Sequence, residues 1–206
     1  PGNARFVPPP PHLVPDLLGD LERFLHEETD LSPLVRAGLA HVQFETIHPF
    51  LDGNGRVGRL LIPLLMVSEG VLQEPLLYLS LYLKAHRSTY YQLLQRVRTE
   101  GDWEAWLSFF VRGVRETADQ AVDAARQLGR VFVEDRARIE QIGRAAGSAL
   151  RVHHALQQHP IQTVAVAAER TGLTVPTVTT ALTRLERAGI VRELTGKRRH
   201  RVYGYY

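Results

Sequence analysis

Apolar positions recur along the chain at helical spacing. Leu17, Leu18, Leu21, Phe24 and Leu25 share one face of a helix whose other face carries Asp16, Asp20 and Glu22. Ser32-Pro33 supplies an N-cap and a first-turn proline, predicting a second helix that carries Val35, Leu39, Val42 and Phe44 and ends near Ile47. From about Asn54 the run RVGRLLIPLLMVSEG is apolar nearly all round, which predicts a helix buried at the centre of its domain, with Pro63 a candidate bend. Residues 72–83 fit either a strand or a loop leading into a short helix. Residues 89–97 and 103–114 repeat the helical period, and the Ala-rich, charged stretch 117–146 predicts one or two further helices. No alternation of strands and helices breaks the pattern, so residues 12–146 read as all-α.

After Gly147 the texture changes. A short helix over 152–158 is followed by helical patterns over 163–170 and 175–187 around Thr171-Gly172-Leu173, then by two strand-like runs, 190–194 and 201–206, flanking TGKRRH. That is the plan of a small α+β winged helix-turn-helix. In its second helix Val178, Ala181, Leu182 and Leu185 form the buried face and Thr177, Thr179, Thr180 and Thr183 the exposed one. The expected domains are 1–146 and 147–206.

Charge sharpens the division. Residues 151–206 carry nine Lys/Arg against three Asp/Glu, whereas residues 1–150 carry sixteen against nineteen, so the two parts are expected to do different jobs. The 206 residues include no cysteine, which excludes disulfides and thiolate metal sites and fits a reducing compartment. No apolar run approaches the roughly 18 to 20 residues of a membrane span, and PGNARFVPPPP lacks the plan of a signal peptide, so a cytoplasmic protein with no membrane partner is expected. Pro8 to Pro11 form a stiff extended lead-in. A chain opening on Pro1 without Met is expected to be a piece of something longer.

One stretch concentrates chemistry: HPFLDGNGRVGR, from His48 to Arg59, between two apolar helical segments. Gly53 to Gly58 formally satisfies GxGxxG, but a dinucleotide fingerprint needs a preceding strand and the residues before it have helical period. A calcium loop starting at Asp52 needs glycine and glutamate where Val57 and Pro63 stand. A glycine turn ahead of a core helix explains neither the remaining glycines nor two neighbouring arginines. Gly53-Asn54-Gly55 opening a helix lets backbone amides converge on an anion, aided by the helix dipole. Arg56 and Arg59, three apart in the first turn, can neutralise different phosphates of one polyphosphate. Asp52 is a hard oxygen ligand suited to Mg²⁺ held against phosphates. His48 is the side chain whose pKa suits proton abstraction at neutral pH. The set reads as transfer from a nucleoside triphosphate to a hydroxyl.

HPFLDGNGRVGR resembles the full signature of Fic domains, and the resemblance extends from about Phe6 to Val114 through the PPPP lead-in, FETIHPF, LLYLSLYLKAHRSTYYQLL and GDWEAWLSFF. It implies a Fic-fold helical bundle and a nucleotidyltransferase activity, adenylylation (AMPylation), in which AMP passes from ATP to a Ser, Thr or Tyr hydroxyl of a target protein, self-modification included. It implies His48 as the catalytic base, Asp52 as the Mg²⁺ ligand, and the amides of Gly53, Asn54 and Gly55 as the phosphate cradle. Arg56 would stabilise transferred and leaving groups and Arg59 the γ-phosphate, with Val57 and Gly58 completing the nucleotide-binding run. Tyr91, in STYYQLL, falls where relatives approach the nucleoside; the plainer reading is a core aromatic. Phe50 reads as an apolar anchor. The glycine at position 55 stands where phosphorylating relatives carry a bulkier residue, which favours nucleotidyl transfer.

Many Fic proteins carry an inhibitory helix, [ST]xxxE[GN]. Glu69-Gly70 and Glu100-Gly101 have its ending, but Leu65 and Arg96 stand four residues before each glutamate, so neither fits and the restraint is expected to be missing from this stretch. Residues 3–7 resemble the second strand of a target-docking hairpin. In the tail, Thr177, Thr180, Lys197, Arg198, Arg199 and Arg201 are the candidate DNA contacts, against a winged helix used for protein contacts or homodimerisation. The rival to an enzyme is a DNA-binding regulator whose Fic domain senses nucleotide or removes AMP from a partner.

Overall fold

A computed structural model describes residues 6–206. The chain forms two compact units, one running to Val122 and the other spanning Asp123–Tyr206.

In the first unit, the 3-10 turn Pro11–Leu13 leads into α1 (Val14–His26), followed by α2 (Pro33–Ile47), α3 (Asn54–Ser68), α4 (Leu79–Ala85), α5 (Arg87–Glu100) and the start of α6 (Trp103–Glu140). Ser32 starts α2 as expected, its hydroxyl accepting from the Val35 amide with Pro33 behind it. The central core gathers Ile62, Met66, Leu94, Trp106 and Phe110, and the Trp106 indole donates to the Gly38 carbonyl at 3.0 Å. Leu21, Ala40, Phe44 and Ile47 close a smaller core under α1.

Two expectations change here. The all-round apolar helix is α3, and it is not buried all round. Ile62, Pro63 and Met66 face inward, while Val57, Leu60 and Leu64 are exposed. Composition could not decide this, because residues 60–67 are uniformly apolar and show no preferred face. The open segment 72–83 becomes a loop and then α4, whose Leu79, Tyr82 and Leu83 share one buried face. Residues 1–5 and with them most of the expected docking strand lie outside the described residues, while Phe6 and Val7 are not in a strand. Among the described residues no helix is long and apolar enough to cross a membrane.

In the second unit, α7 (Ala146–Gln158), β1 (Ile161–Thr163), α8 (Val164–Thr171), α9 (Val175–Arg187), β2 (Val191–Glu193) and β3 (Val202–Tyr205) form a winged helix, with antiparallel sheet order β1-β3-β2. Ile161 pairs with Gly204 and Val191 with Tyr205. The third strand, β1, goes beyond the two read from the pattern; three residues give no readable alternation. Val178, Ala181, Leu182 and Leu185 form the buried face of α9 as expected. The compact units divide at Val122/Asp123. The reason is tertiary: Ile139 of α6 belongs to the C-terminal core, and buried Asp135 accepts from the Tyr205 hydroxyl at 2.6 Å. That hydroxyl also lies 3.2 Å from His153 Nε2.

Candidate active site

The loop between α2 and α3 is set by backbone conformation at both ends. His48 caps α2 with left-handed φ 51° and ψ 56°, its amide donating to the Phe44 carbonyl at 2.9 Å. A non-glycine residue there carries strain, roughly 1–2 kcal/mol, of the kind held at functional positions. The turn delivers a half-buried imidazole to the mouth of the loop, edge-on to the Phe6 ring at 6.4 Å between centroids. Gly53 caps α3 with φ 89°, which needs glycine. Buried Asn54 closes the loop on itself: the Phe50 amide donates to its Oδ1 at 2.9 Å, and its Nδ2 donates to the Phe50 carbonyl at 2.5 Å. Phe50 is exposed and tilted against Phe44 at 6.3 Å, a partial anchor.

No side chain caps α3. The amides of Gly53, Asn54 and Gly55 have no protein acceptor among the described residues, so the N-terminus presents free donors and the positive end of its dipole. Asp52 and Arg56 pair with each other at 3.0 Å on the surface, the Asp52 side chain 92% exposed. Arg59 takes another course. It makes no hydrogen bond or ion pair among the described residues, and it lines a cavity of about 340 Å³ with Lys84, Arg87, Tyr90 and Tyr91. Arg56 is not among the residues lining that cavity. Tyr91 is exposed rather than core, with the Arg87 guanidinium 5.6 Å from its ring centre; the core aromatic is its neighbour Tyr90. Val57 lies on the outer face of α3, and Gly58 on the face toward α2, where a Cβ would meet Glu45 Oε1 at 2.7 Å and Phe44 at 3.1 Å.

The residues that position this loop include several that sequence reasoning passed over. His41, fully buried, stacks on Trp106 and lies 2.8 Å from the Gly58 carbonyl by Nδ1 and 3.0 Å from the Tyr90 hydroxyl by Nε2. A carbonyl only accepts, so Nδ1 carries the proton and Nε2 accepts from Tyr90. Burial holds this ring neutral, with its pKa lowered to about 4. Burial likewise pushes the Tyr90 hydroxyl far above its ordinary value. Arg98 donates to Thr46 Oγ1 at 3.1 Å and to the Glu45 carbonyl at 2.9 Å while covering Phe6 at 3.7 Å. Burial lowers the pKa of Arg98 and raises that of Glu45, whose Oε1 is buried without a partner among the described residues. Nothing in sequence spacing marks these residues, because their partners come from other helices. Glu69 and Glu100 are engaged elsewhere, with Arg36 and Arg96.

In the second unit the N-cap Thr174 accepts from the Thr177 amide, and its hydroxyl lies 2.8 Å from that of Thr177. Thr179, Thr180 and Thr183 each donate to the carbonyl four residues back, leaving their oxygens as acceptors. Lys197, Arg198, Arg199 and Arg201 are all exposed on the β2–β3 wing. The wing is closed by Glu193, whose carboxylate accepts from the amides of Thr195 and Gly196.

Comparison with known proteins agrees with both halves. Residues 1–66 match the Fic/DOC family and residues 148–192 the winged helix-turn-helix DNA-binding family. A probable protein adenylyltransferase of Aquifex aeolicus is 43% identical over 70 residues, which cover 34% of this chain and 22% of that protein. The protein adenylyltransferase Fic of Drosophila erecta is 36% identical over 124 residues, 59% of this chain and 24% of its own length. The chain therefore spans about a quarter or less of these relatives. A Fic family protein from Desulfovibrio desulfuricans shares the fold across 97% of this chain and 57% of its own, with TM-score 0.54 and 24% identity. The first unit carries a Fic/DOC family domain, and the second a winged helix-turn-helix domain.

Proposed function

We propose that the chain is a protein adenylyltransferase, moving AMP from ATP to a Ser, Thr or Tyr hydroxyl of a target protein with release of pyrophosphate. The observation that carries this reading is the uncapped N-terminus of α3, with His48 at one side and the unengaged Arg59 at the other. Three free amides at a helix N-terminus bind a phosphate, and the adjoining cavity joins Arg59 to an exposed aromatic, Tyr91. Adenylyltransferase names among the relatives support ATP as the substrate.

His48 takes the proton of the target hydroxyl, whose oxygen attacks the α-phosphorus while the bond to the β-phosphate oxygen breaks. The amides of Gly53, Asn54 and Gly55 hold the phosphates. Arg56, once released from Asp52, meets charge on the transferred and leaving groups, and Arg59 holds the terminal phosphate. Tyr91 borders the nucleoside. Val57 and Gly58 contribute through the first turn of α3, Gly58 by admitting Glu45.

Among the described residues no group of three or more His, Cys, Asp or Glu side chains gathers to hold a metal. A single exposed carboxylate still fits Mg²⁺, which takes its other ligands from substrate phosphates and water. Asp52 would hold it, and when bound it supplies charge neutralisation at the phosphates.

For the second unit we propose duplex DNA as the partner, through the exposed cations Lys197, Arg198, Arg199 and Arg201 and the hydroxyls of Thr177 and Thr180. We also propose a cytoplasmic location and a homodimer. Incubation with Mg²⁺ and each nucleoside triphosphate, read by intact mass, tests the enzyme. Growth of self-modified or target protein by one AMP with ATP, lost on His48→Ala, is expected; transfer undiminished in that variant rejects the reading.

A further inference from the structure

Glu45 has no role in the scheme above, yet it occupies the most constrained place beneath it. The residue is 6% exposed, and its Oε1 is buried without a hydrogen-bond partner among the described residues. It points from α2 into the first turn of α3, where only glycines leave room. A Cβ on Gly58 would stand 2.7 Å from Oε1, and one on Gly55 would stand 3.7 Å from it. That same point beside Gly55 is 2.9 Å from Arg59 Nη1. An unpartnered buried acceptor and an unengaged guanidinium therefore converge on the space that Gly55 keeps empty.

The charged and titratable groups around Glu45 come from each packed helix: His48 at the end of α2, Arg59 on α3, and Arg98 with Tyr90 on α5. His41 is neutral and engaged by Gly58 and Tyr90. Arg98 is committed to Thr46 Oγ1 and the Glu45 carbonyl. His48 is turned into the loop by its left-handed backbone. Arg59 is the cation with donors to spare, and guanidinium can meet a carboxylate on one edge and a phosphate on another.

We infer that Glu45 is a positioning residue for Arg59: its buried carboxylate, acting through its field rather than a direct ion pair, draws the guanidinium toward Gly55, so that its N–H groups face the terminal phosphate of a bound nucleoside triphosphate. The inference rests on the nucleotide reading of the site. It makes discrimination between a triphosphate and a diphosphate depend on a residue that touches neither.

The test is calorimetric titration of the full chain with Mg²⁺-ATP and Mg²⁺-ADP, which needs no transfer to occur. In the unaltered chain ATP binds more tightly than ADP. In the isosteric variant Glu45→Gln, ATP affinity falls roughly tenfold while ADP affinity stays within about twofold. Arg59→Ala loses the same preference, and the double variant loses no more than Arg59→Ala alone. A second measurement needs only the half-exposed Arg59→Ala: in carbon-detected titration of the carboxyl groups, loss of the cation moves Glu45 upward. An unchanged ATP/ADP ratio in Glu45→Gln, or a Glu45 titration unmoved by Arg59→Ala, overturns the inference and leaves the transferase reading standing. A chain that binds ATP and ADP equally also overturns it. Failure of the unaltered chain to bind either nucleotide overturns both.

Discussion

Two helix N-termini, one in each unit, are built to opposite plans. At α9 the chain spends a side chain on closure: Thr174 accepts from the Thr177 amide, and Pro176 removes a further donor. At α3 the cap is Gly53, whose lack of a side chain and φ of 89° leave the first amides open. The closed end contributes stability and nothing else visible, so any chemistry of the second unit must come from its exposed hydroxyls and wing. The open end forgoes a cap worth about 1 kcal/mol and is left with donors that want an anion. Around it the chain adds strain at His48 and leaves a buried acceptor at Glu45 without a donor. Such local departures mark sites that the surrounding core must stabilise.

The largest expected effect tests the open end. His48→Ala should lower transfer by roughly 10²- to 10⁴-fold, the usual weight of a general base. Far-UV circular dichroism and melting should change little, because Ala keeps the Cβ that carries the left-handed strain and the half-buried imidazole lies outside the core. Loss of activity accompanied by loss of fold would instead make His48 a structural cap of α2.

Acid should separate the chemistry from its scaffold. The pKa of His41 is depressed in the fold from 6.5 to about 4. Its contribution is therefore whole above pH 6.5 and is lost as pH falls toward about 4, because the unfolded chain takes up the proton first. The cost reaches about 3 kcal/mol once both forms are protonated. Urea unfolding of the first unit at pH 7 and pH 4 measures it, and His41→Gln should flatten the pH dependence over that window. Burial lowers the pKa of His153 in the second unit too, opposed by Asp135, so acid acts there in the same direction.

The wing is next in size. Replacing Arg198 and Arg199 together by Ala should weaken binding to random duplex DNA roughly 10- to 100-fold at low salt. The salt slope should fall by about 0.9 for each phosphate that the wing no longer neutralises. Band shifts at several salt concentrations read both quantities. Binding that is absent, or insensitive to the two arginines, would assign the wing to protein contacts.

How much of this was legible in the residues depends on where each partner lies. The helix starts at Pro33 and Asn54 and the helix-turn-helix could be read because caps, prolines and glycines act over a few positions. The loop from His48 to Arg59 was legible because its chemistry is contiguous. The exposed side of α3 was not, since Val57, Leu60 and Leu64 differ from buried Ile62 and Met66 only in what other helices cover. His41 and Glu45 were illegible for the same reason. The Gly58 carbonyl and Tyr90 hydroxyl that engage His41 come from α3 and α5, and Glu45 gains meaning only from the empty space at Gly55 and Gly58. The share of α6 in the second unit was illegible too, because Asp135 and Ile139 find their partners far along the chain.

The smallest effect returns to the two N-termini. Thr174→Ala should cost the second unit about 1 kcal/mol, lowering its melting by roughly 4–8 °C and leaving adenylyl transfer untouched. The reciprocal change, Gly53→Ser, offers α3 a hydroxyl but forces it to φ 89°, a strain of roughly 1–2 kcal/mol. If the open end exists to bind phosphate, Gly53→Ser should weaken ATP binding more than it alters melting, because the hydroxyl competes for the amides that the nucleotide needs. Equal losses of stability from the two substitutions, with ATP binding unmoved by Gly53→Ser, would mean that glycine is at α3 for the turn alone and that the contrast between the two ends is one of backbone geometry.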